Sequence, residues 1–220
     1  MKRYDFALFD LDGTLSESGE GILDSVRKIF EETGRTLPDE KTLGSFIGPP
    51  MYDSLRRCGF THEDAEAGVV IYKRNFLESG IFKNKLYPGI MELLVSLKEN
   101  GVILGVATTK YYPFAERIIG MLETSELFDF VGGATSGTER RTKAGVIEYT
   151  LENLGCTDRR RAVMIGDTKY DAEGAAITGL DFIGCLYGYG TRAEMEKFCP
   201  DAEFVESAYE IGRIILGSTD

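Results

Sequence analysis

The chain is poor in the groups that most hydrolytic chemistries need. It has one histidine in 220 residues, His62. A histidine-dependent phosphatase or a Ser-His-Asp hydrolase would have to use it. It falls in the first turn of an expected helix, where a solvated side chain is the simpler reading. The four cysteines, Cys58, Cys156, Cys185 and Cys199, lie far apart with no CxxC pair, which fits reduced thiols in a cytoplasmic protein. A cysteine phosphatase needs Cys, five residues, then Arg. Cys156 is followed by Arg159, Arg160 and Arg161, but Ala162 holds the required place. No His/Cys cluster offers a zinc site, and neither a G-x-x-x-x-G-K-[ST] loop nor a G-x-G-x-x-G is present. Positive charge is short as well: 25 Lys and Arg against 36 Asp and Glu, a net charge of −11. That argues against a nucleic acid polymer or an anionic membrane as partner, though a local patch could still bind a small phosphorylated molecule. No apolar run is long enough to span a bilayer. Met1-Lys2-Arg3-Tyr4-Asp5 has no apolar core of a signal peptide, so none is expected.

What remains is carboxylate and hydroxyl chemistry, and it is organised around Asp10-Leu11-Asp12-Gly13-Thr14-Leu15. The preceding Tyr4–Phe9 is short, aromatic and apolar, the pattern of a buried strand. In extended chain, residues two apart project to the same side, so Asp10 and Asp12 can face one site. Gly13 then allows a sharp turn. Two like charges this close need a cation or a shared proton. The alternative is an ordinary turn cluster, since Asp and Gly are common there.

Residues 16–84 read as almost wholly helical. Ser16–Gly19 is a polar connection. Ile22, Val26, Ile29 and Phe30 share a face over residues 20–33, and Gly34 is a natural stop. A second helix is expected from Pro38-Asp39-Glu40, ending at Gly48-Pro49-Pro50. A short one follows over Tyr52–Arg57, and a fourth runs from Thr61 to about Glu78. After Tyr87-Pro88-Gly89 the texture changes. Strands are predicted over 102–107, 128–131, 162–165, 182–186 and 204–205. Helices are predicted over 90–99, 114–121, 143–153, 172–177, 192–197 and 209–216. Such alternation implies a parallel sheet covered on both faces. The simplest architecture is an α/β core interrupted after its first strand by a helical cap.

Polar groups stand at several strand ends. Thr108 follows the second core strand, and Asp167 and Asp171 follow the strand over 162–165. Oxygen ligands without histidine suit Mg²⁺. Lys143, at an expected helix start, can supply positive charge. Taken singly, each has an ordinary alternative: Thr108 as a turn residue, the two aspartates as helix-start acids, Lys143 as a solvated lysine.

Together, Asp10-Leu11-Asp12-Gly13-Thr14, Thr108, Lys143 and Gly166-Asp167-Thr168-Lys169-Tyr170-Asp171 resemble the haloacid dehalogenase superfamily of phosphatases, across the whole chain and in the family's order. Phe46-Ile47-Gly48-Pro49-Pro50, Tyr87-Pro88-Gly89 and Leu186-Tyr187-Gly188-Tyr189-Gly190 look like the phosphoglycolate phosphatase and 5′-nucleotidase-like branch. The chain departs from the pattern at Ala144, where many relatives have proline, and at Thr109, Thr168 and Tyr170. The resemblance implies a Rossmann-like parallel-sheet core, residues 1–15 and 85–220, with an inserted helical-bundle cap, residues 16–84. It implies a cytoplasmic, Mg²⁺-dependent phosphomonoester hydrolase for a small substrate of the 2-phosphoglycolate or nucleoside 5′-monophosphate type. Asp10 would be the nucleophile and Asp12 the general acid and base. Asp10, the Asp12 carbonyl and Asp167 would hold the metal, with Asp171 a ligand through water or an orienting group. Thr108, Lys143, Gly13, Thr14 and Thr109 would hold the phosphoryl group, with Lys110 competing for the lysine's role. Gly48 and Pro49 would help select the substrate. A carboxylate would want Arg56, Arg57, Lys73 or Arg74, and a nucleobase Phe46, Tyr52, Tyr72 or Phe76. A sugar phosphomutase, or a non-catalytic binding protein on the same fold, are the alternatives.

Overall fold

The computed structural model describes residues 2–135 and 140–217. Along the chain come β1 (Phe6–Phe9), β2 (Ser16–Glu17), α1 (Gly19–Glu32), α2 (Glu40–Gly44), α3 (Met51–Arg57), α4 (His62–Glu78), β3 (Lys85–Leu86), α5 (Ile90–Glu99) and β4 (Ile103–Tyr111). Then follow α6 (Tyr112–Met121), β5 (Phe130–Ala134), α7 (Lys143–Asn153), β6 (Ala162–Gly166), α8 (Lys169–Thr178), β7 (Asp181–Cys185), α9 (Arg192–Met195), β8 (Glu203–Val205) and α10 (Ala208–Leu216). No helix is long and apolar enough to cross a membrane among the described residues.

Six strands form one sheet in the order β5-β4-β1-β6-β7-β8, with every pairing parallel. Counted along the core, this is the doubly wound order, in which the winding reverses between β1 and β6. The strands alternate strictly. Phe9, Val106 and Ile165 enter one apolar cluster, with α5, α6 and α10. Leu8, Ala107 and Met164 enter the other, with α7 and α8. Both faces are therefore buried, which is what a parallel sheet requires.

Between β2 and β3 the described chain forms no strand. Its buried face, with Ile22, Phe30, Leu55 and Phe76, belongs to the first of these clusters, as do Leu11 and Leu15. Asp39 and Thr61 cap α2 and α4 by accepting from Thr42 N and Asp64 N at 2.8 and 3.1 Å.

Three expectations need correction. Ser16–Glu17 is not a loose connection but pairs antiparallel with Lys85–Leu86, so the chain enters and leaves the helical segment side by side. Two-residue strands carry no periodicity and are held by pairing across the fold. The second core strand runs on to Tyr111, with an irregularity in its pairing between Thr108 and Tyr111. The polar Thr108-Thr109-Lys110 looked like a strand end because its side chains serve a site rather than an apolar core. β1 starts at Phe6, two residues late, although Tyr4 is buried and donates from its hydroxyl to Asp181 at 2.6 Å.

Candidate active site

Asp10 leaves β1 and Asp167 leaves β6, adjacent strands at the reversal of winding, where open α/β sheets bind ligands. The Asp10 N–H donates to the Ile165 carbonyl at 2.9 Å, which extends the pairing one residue past the strand. Lys143 is the first residue of α7, whose start is fixed by Thr142 accepting from Gly145 N at 3.1 Å. Asp171 lies in the first turn of α8 and accepts from Thr168 N and Oγ1 at 2.9 and 2.7 Å. These neighbouring elements bring one oxygen each from Asp10, Asp167 and Asp171 within 4.8 Å of one another, all buried.

Lys143 Nζ lies 2.7 Å from Asp10 Oδ1 and 2.6 Å from Asp171 Oδ1, and donates to the Ala107 carbonyl at 3.0 Å. Both Oδ1 atoms are buried and depend on this one ammonium. Three carboxylates against one ammonium leave negative charge uncompensated. Burial, together with Asp171 and Asp12, pushes the Asp10 carboxyl up to about 6 against the pull of Lys143. Burial likewise raises Asp167 well above the carboxylate range, with Asp171 and Asp10 adding to it. Burial depresses Lys143, but Asp10 and Asp171 outweigh it and hold the ammonium above its ordinary value. Buried carboxylate oxygens that share one ammonium, an all-oxygen donor set and excess negative charge are the conditions a hard divalent cation relieves. The residues fit Mg²⁺.

Asp167 is held from three directions. Oδ1 accepts from Thr14 Oγ1 at 3.0 Å and Oδ2 from Tyr189 N at 2.8 Å. Gly13, at φ +86°, runs so close that a Cβ there would stand 2.2 Å from Asp167 Oδ2; a Cβ on Gly188 would stand 2.3 Å from Asp167 Cβ. Only glycine admits both approaches. Thr14 therefore faces Asp167 and is fully buried, its hydroxyl donating to that carboxylate. Gly13 N–H is likewise engaged, with the Ser16 carbonyl at 2.8 Å.

Asp12 belongs to a second pair. Lys110 Nζ touches both its oxygens, at 2.8 and 3.0 Å, and stands 4.5 Å from the centroid of the Phe76 ring. The two lysines thus divide the site. Lys143 serves Asp10 and Asp171, and Lys110 serves Asp12. Thr108, 1% exposed, accepts from Lys110 N at 3.2 Å.

Asp12 and Lys110 also line a cavity of about 410 Å³ between the strand ends and the helical segment. Gly48, Pro49 and Thr109 line it too, and Thr109 Oγ1 donates to the Gly48 carbonyl at 2.9 Å, tying the segment to β4. Of the expected cations, Lys73 faces this cavity. Arg56 donates to the Phe60 carbonyl, Arg57 to the Ser45 carbonyl, and Arg74 pairs with Glu32. Of the expected aromatics, Phe46, Tyr52 and Tyr72 line it, while Phe76 lies under Lys110. His62 is exposed, as expected of a first-turn residue, yet its Nδ1 meets the Tyr52 hydroxyl at 2.6 Å at the cavity wall.

The family described as haloacid dehalogenase-like hydrolase matches residues 7–185. The chain belongs to that family. It is similar to the tyrosine-protein kinase PtkA of Mycobacterium tuberculosis, 36% identical over 190 residues. Those residues are 86% of this chain and 65% of PtkA, so the chain spans less than two thirds of that relative. It is 35% identical over 199 residues to a 5′-nucleotidase of Pseudomonas aeruginosa, covering 90% of each. It is 32% identical to a phosphoglycolate phosphatase of Aquifex aeolicus, over 83% of this chain and 84% of the other. Among solved structures, a predicted phosphatase from Clostridium acetobutylicum has TM-score 0.90 and 37% identity, covering 98% of this chain and 99% of that one.

In this member of the hydrolase family, the residues that sequence reasoning missed are in the loop after β7. Tyr189 N–H holds Asp167, its hydroxyl accepts from Ser18 N and Gly19 N at 3.0 and 2.7 Å, and Tyr187 donates to the Thr14 carbonyl at 3.0 Å. The repeated Tyr-Gly of Tyr187-Gly188-Tyr189-Gly190 marked the branch, but nothing local says that it packs on a carboxylate at the tip of another strand.

Proposed function

We propose that the chain is a Mg²⁺-dependent phosphomonoester hydrolase acting on a small phosphorylated metabolite, with residues 16–84 as a cap over the α/β core. The observation that supports it best is the buried Asp10–Asp167–Asp171 group, with Lys143 against Asp10 and Asp171, beside an Asp12 that lines the cavity. An Asp10 oxygen attacks phosphorus, forming an aspartyl-phosphate as the ester P–O bond breaks. Asp12 passes a proton to the departing oxygen. It then takes one from water, whose oxygen attacks phosphorus, releasing phosphate and regenerating the Asp10 carboxylate. Asp10, the Asp12 carbonyl and Asp167 would hold Mg²⁺, which when bound supplies positive charge to the phosphoryl oxygens. Lys143 keeps Asp10 and Asp171 in place, and Thr108 stands with it on the phosphoryl side. Thr14 and Tyr189 orient Asp167 from behind.

The test is phosphate release from a panel including 2-phosphoglycolate and nucleoside 5′-monophosphates, in Mg²⁺ and in EDTA. Asp10→Asn should release none while remaining folded. Substantial turnover by that variant, or full activity after exhaustive EDTA, rejects the reading. Recovery of an isomeric sugar phosphate in place of free phosphate would reassign the protein as a mutase.

A further inference from the structure

The cavity beside Asp12 is larger and more aromatic than phosphoryl chemistry needs. Its volume, about 410 Å³, lies in the range of about 300–1,000 Å³ that holds drug-sized ligands. A two-carbon acid would leave most of it unfilled. Phe46 and Tyr52 line it from the chain around Pro49-Pro50, and Tyr72 lines it from α4. Tyr72 stacks on Phe76 at 5.5 Å and 20°, Phe76 meets Phe114 at 5.3 Å, and Phe114 meets Tyr111 edge-on at 5.3 Å. This chain of rings crosses from the helical segment to the core, so packing holds Tyr72 and Tyr111 in orientation. The Tyr52 ring is fixed at its hydroxyl by His62 and stands 5.3 Å from the Arg141 guanidinium.

The cations tell the same way. Of the cations that line the cavity, Lys110 is already shared by both Asp12 oxygens. Lys73 stands over the Tyr111 ring at 3.8 Å, and Arg141 reaches Asp53 at 3.8 Å. Each therefore stands on an aromatic face or against an acid.

We propose that these walls bind a flat aromatic group on the leaving portion of the substrate, with Tyr52 and Tyr72 as specificity-determining residues. The inference rests on the phosphomonoesterase reading and narrows it. A nucleoside and a phenol are two sources of such a group, and both offer a ring face to stack on tyrosine. Removing one stacking ring should cost roughly tenfold in kcat/KM, the scale of losing one base–aromatic contact.

The experiment compares kcat/KM of the full chain in Mg²⁺ for 2-phosphoglycolate, adenosine 5′-monophosphate and phenyl phosphate, in the wild type, Tyr52→Leu and Tyr72→Leu. The expected result is a preference of tenfold or more for at least one aromatic ester. In each variant the ratio of aromatic to 2-phosphoglycolate turnover should fall, chiefly through KM. Whichever aromatic ester is favoured identifies the source. Tyr72 is tightly packed, so half-exposed Tyr52 keeps the test open if Tyr72→Leu fails to fold. Equal or better turnover of 2-phosphoglycolate, or a ratio unmoved in folded Tyr52→Leu, overturns the proposal while leaving the hydrolase reading intact. If no ester is hydrolysed, that reading falls instead. Calorimetry with adenosine and with phenol then decides the pocket alone: heat lost in Tyr52→Leu supports it, and no heat with either overturns it.

Discussion

Replacing Lys143 with methionine removes the ammonium while keeping the volume. Lys143 is 5% exposed and, among the described residues, is the cation that meets Asp10 and Asp171, at 2.7 and 2.6 Å. Without it, Asp10 Oδ1 and Asp171 Oδ1 are buried carboxylate oxygens with neither cation nor hydrogen bond. Breaking a buried pair by removing one partner costs about 3–5 kcal/mol. At about 2–4 °C per kcal/mol for a chain of this size, the melting temperature in EDTA should fall by about 6–20 °C. Because a divalent cation at the same carboxylates relieves the same charge, saturating Mg²⁺ should restore much of the loss. Lys110→Met breaks the pair with Asp12, whose side chain is not one of the three clustered carboxylates, so its loss of stability should be less responsive to Mg²⁺. Turnover by Lys143→Met should drop by roughly 10²-fold or more, the scale of losing one preorganised stabilising contact. Thermal melts of both variants, in EDTA and in Mg²⁺, are the assay. A Lys143→Met melting point within about 2 °C of wild type in EDTA, or equal Mg²⁺ rescue of both variants, would refute the charge-balance argument.

Two further outcomes follow from the carboxylate group. In metal-free protein the Asp10 carboxyl is raised from about 4 to about 6, chiefly by burial. The fold thus favours its protonated form, and this stability is present below about pH 4 and lost as pH rises through about 6; Asp167, raised in the same sense, contributes a loss of the same sign. Melting temperature in EDTA should therefore carry a falling component over that window that Asp10→Asn reduces, and an unchanged slope in that variant would sink the assignment. Thr14→Val removes the hydroxyl that meets Asp167 at 3.0 Å, and should weaken Mg²⁺ binding by about 10–100-fold, as loss of an orienting partner does. The Mg²⁺ concentration at half-maximal thermal stabilisation measures it, and an unshifted midpoint counts against Thr14 as Asp167's support.

The sequence by itself determined the local elements that periodicity and capping specify. α5 over Ile90–Glu99 and α7 over Lys143–Asn153 have the limits read from it, because an apolar stripe and a capping Thr142 are written within a few residues of each other. Alternating strands and helices were enough for a parallel sheet, and Asp10, Asp12, Asp167 and Asp171 were legible because acids at strand ends conflict with the apolar pattern before them. Only the tertiary structure decided how these acids are shared. Lys110 and Lys143 both follow polar segments and are alike in sequence. Their division between Asp12 and the Asp10–Asp171 pair depends on where α7 and the end of β4 meet β1. The pairing of Ser16–Glu17 with Lys85–Leu86, the seat of Thr14 and Tyr189 on Asp167, and the ring wall from Tyr72 to Tyr111 are long-range as well. Such contacts join residues far apart in the chain, and neither propensity nor spacing carries information about partners that distant. They are settled by which faces must be buried and which carboxylates must find a donor.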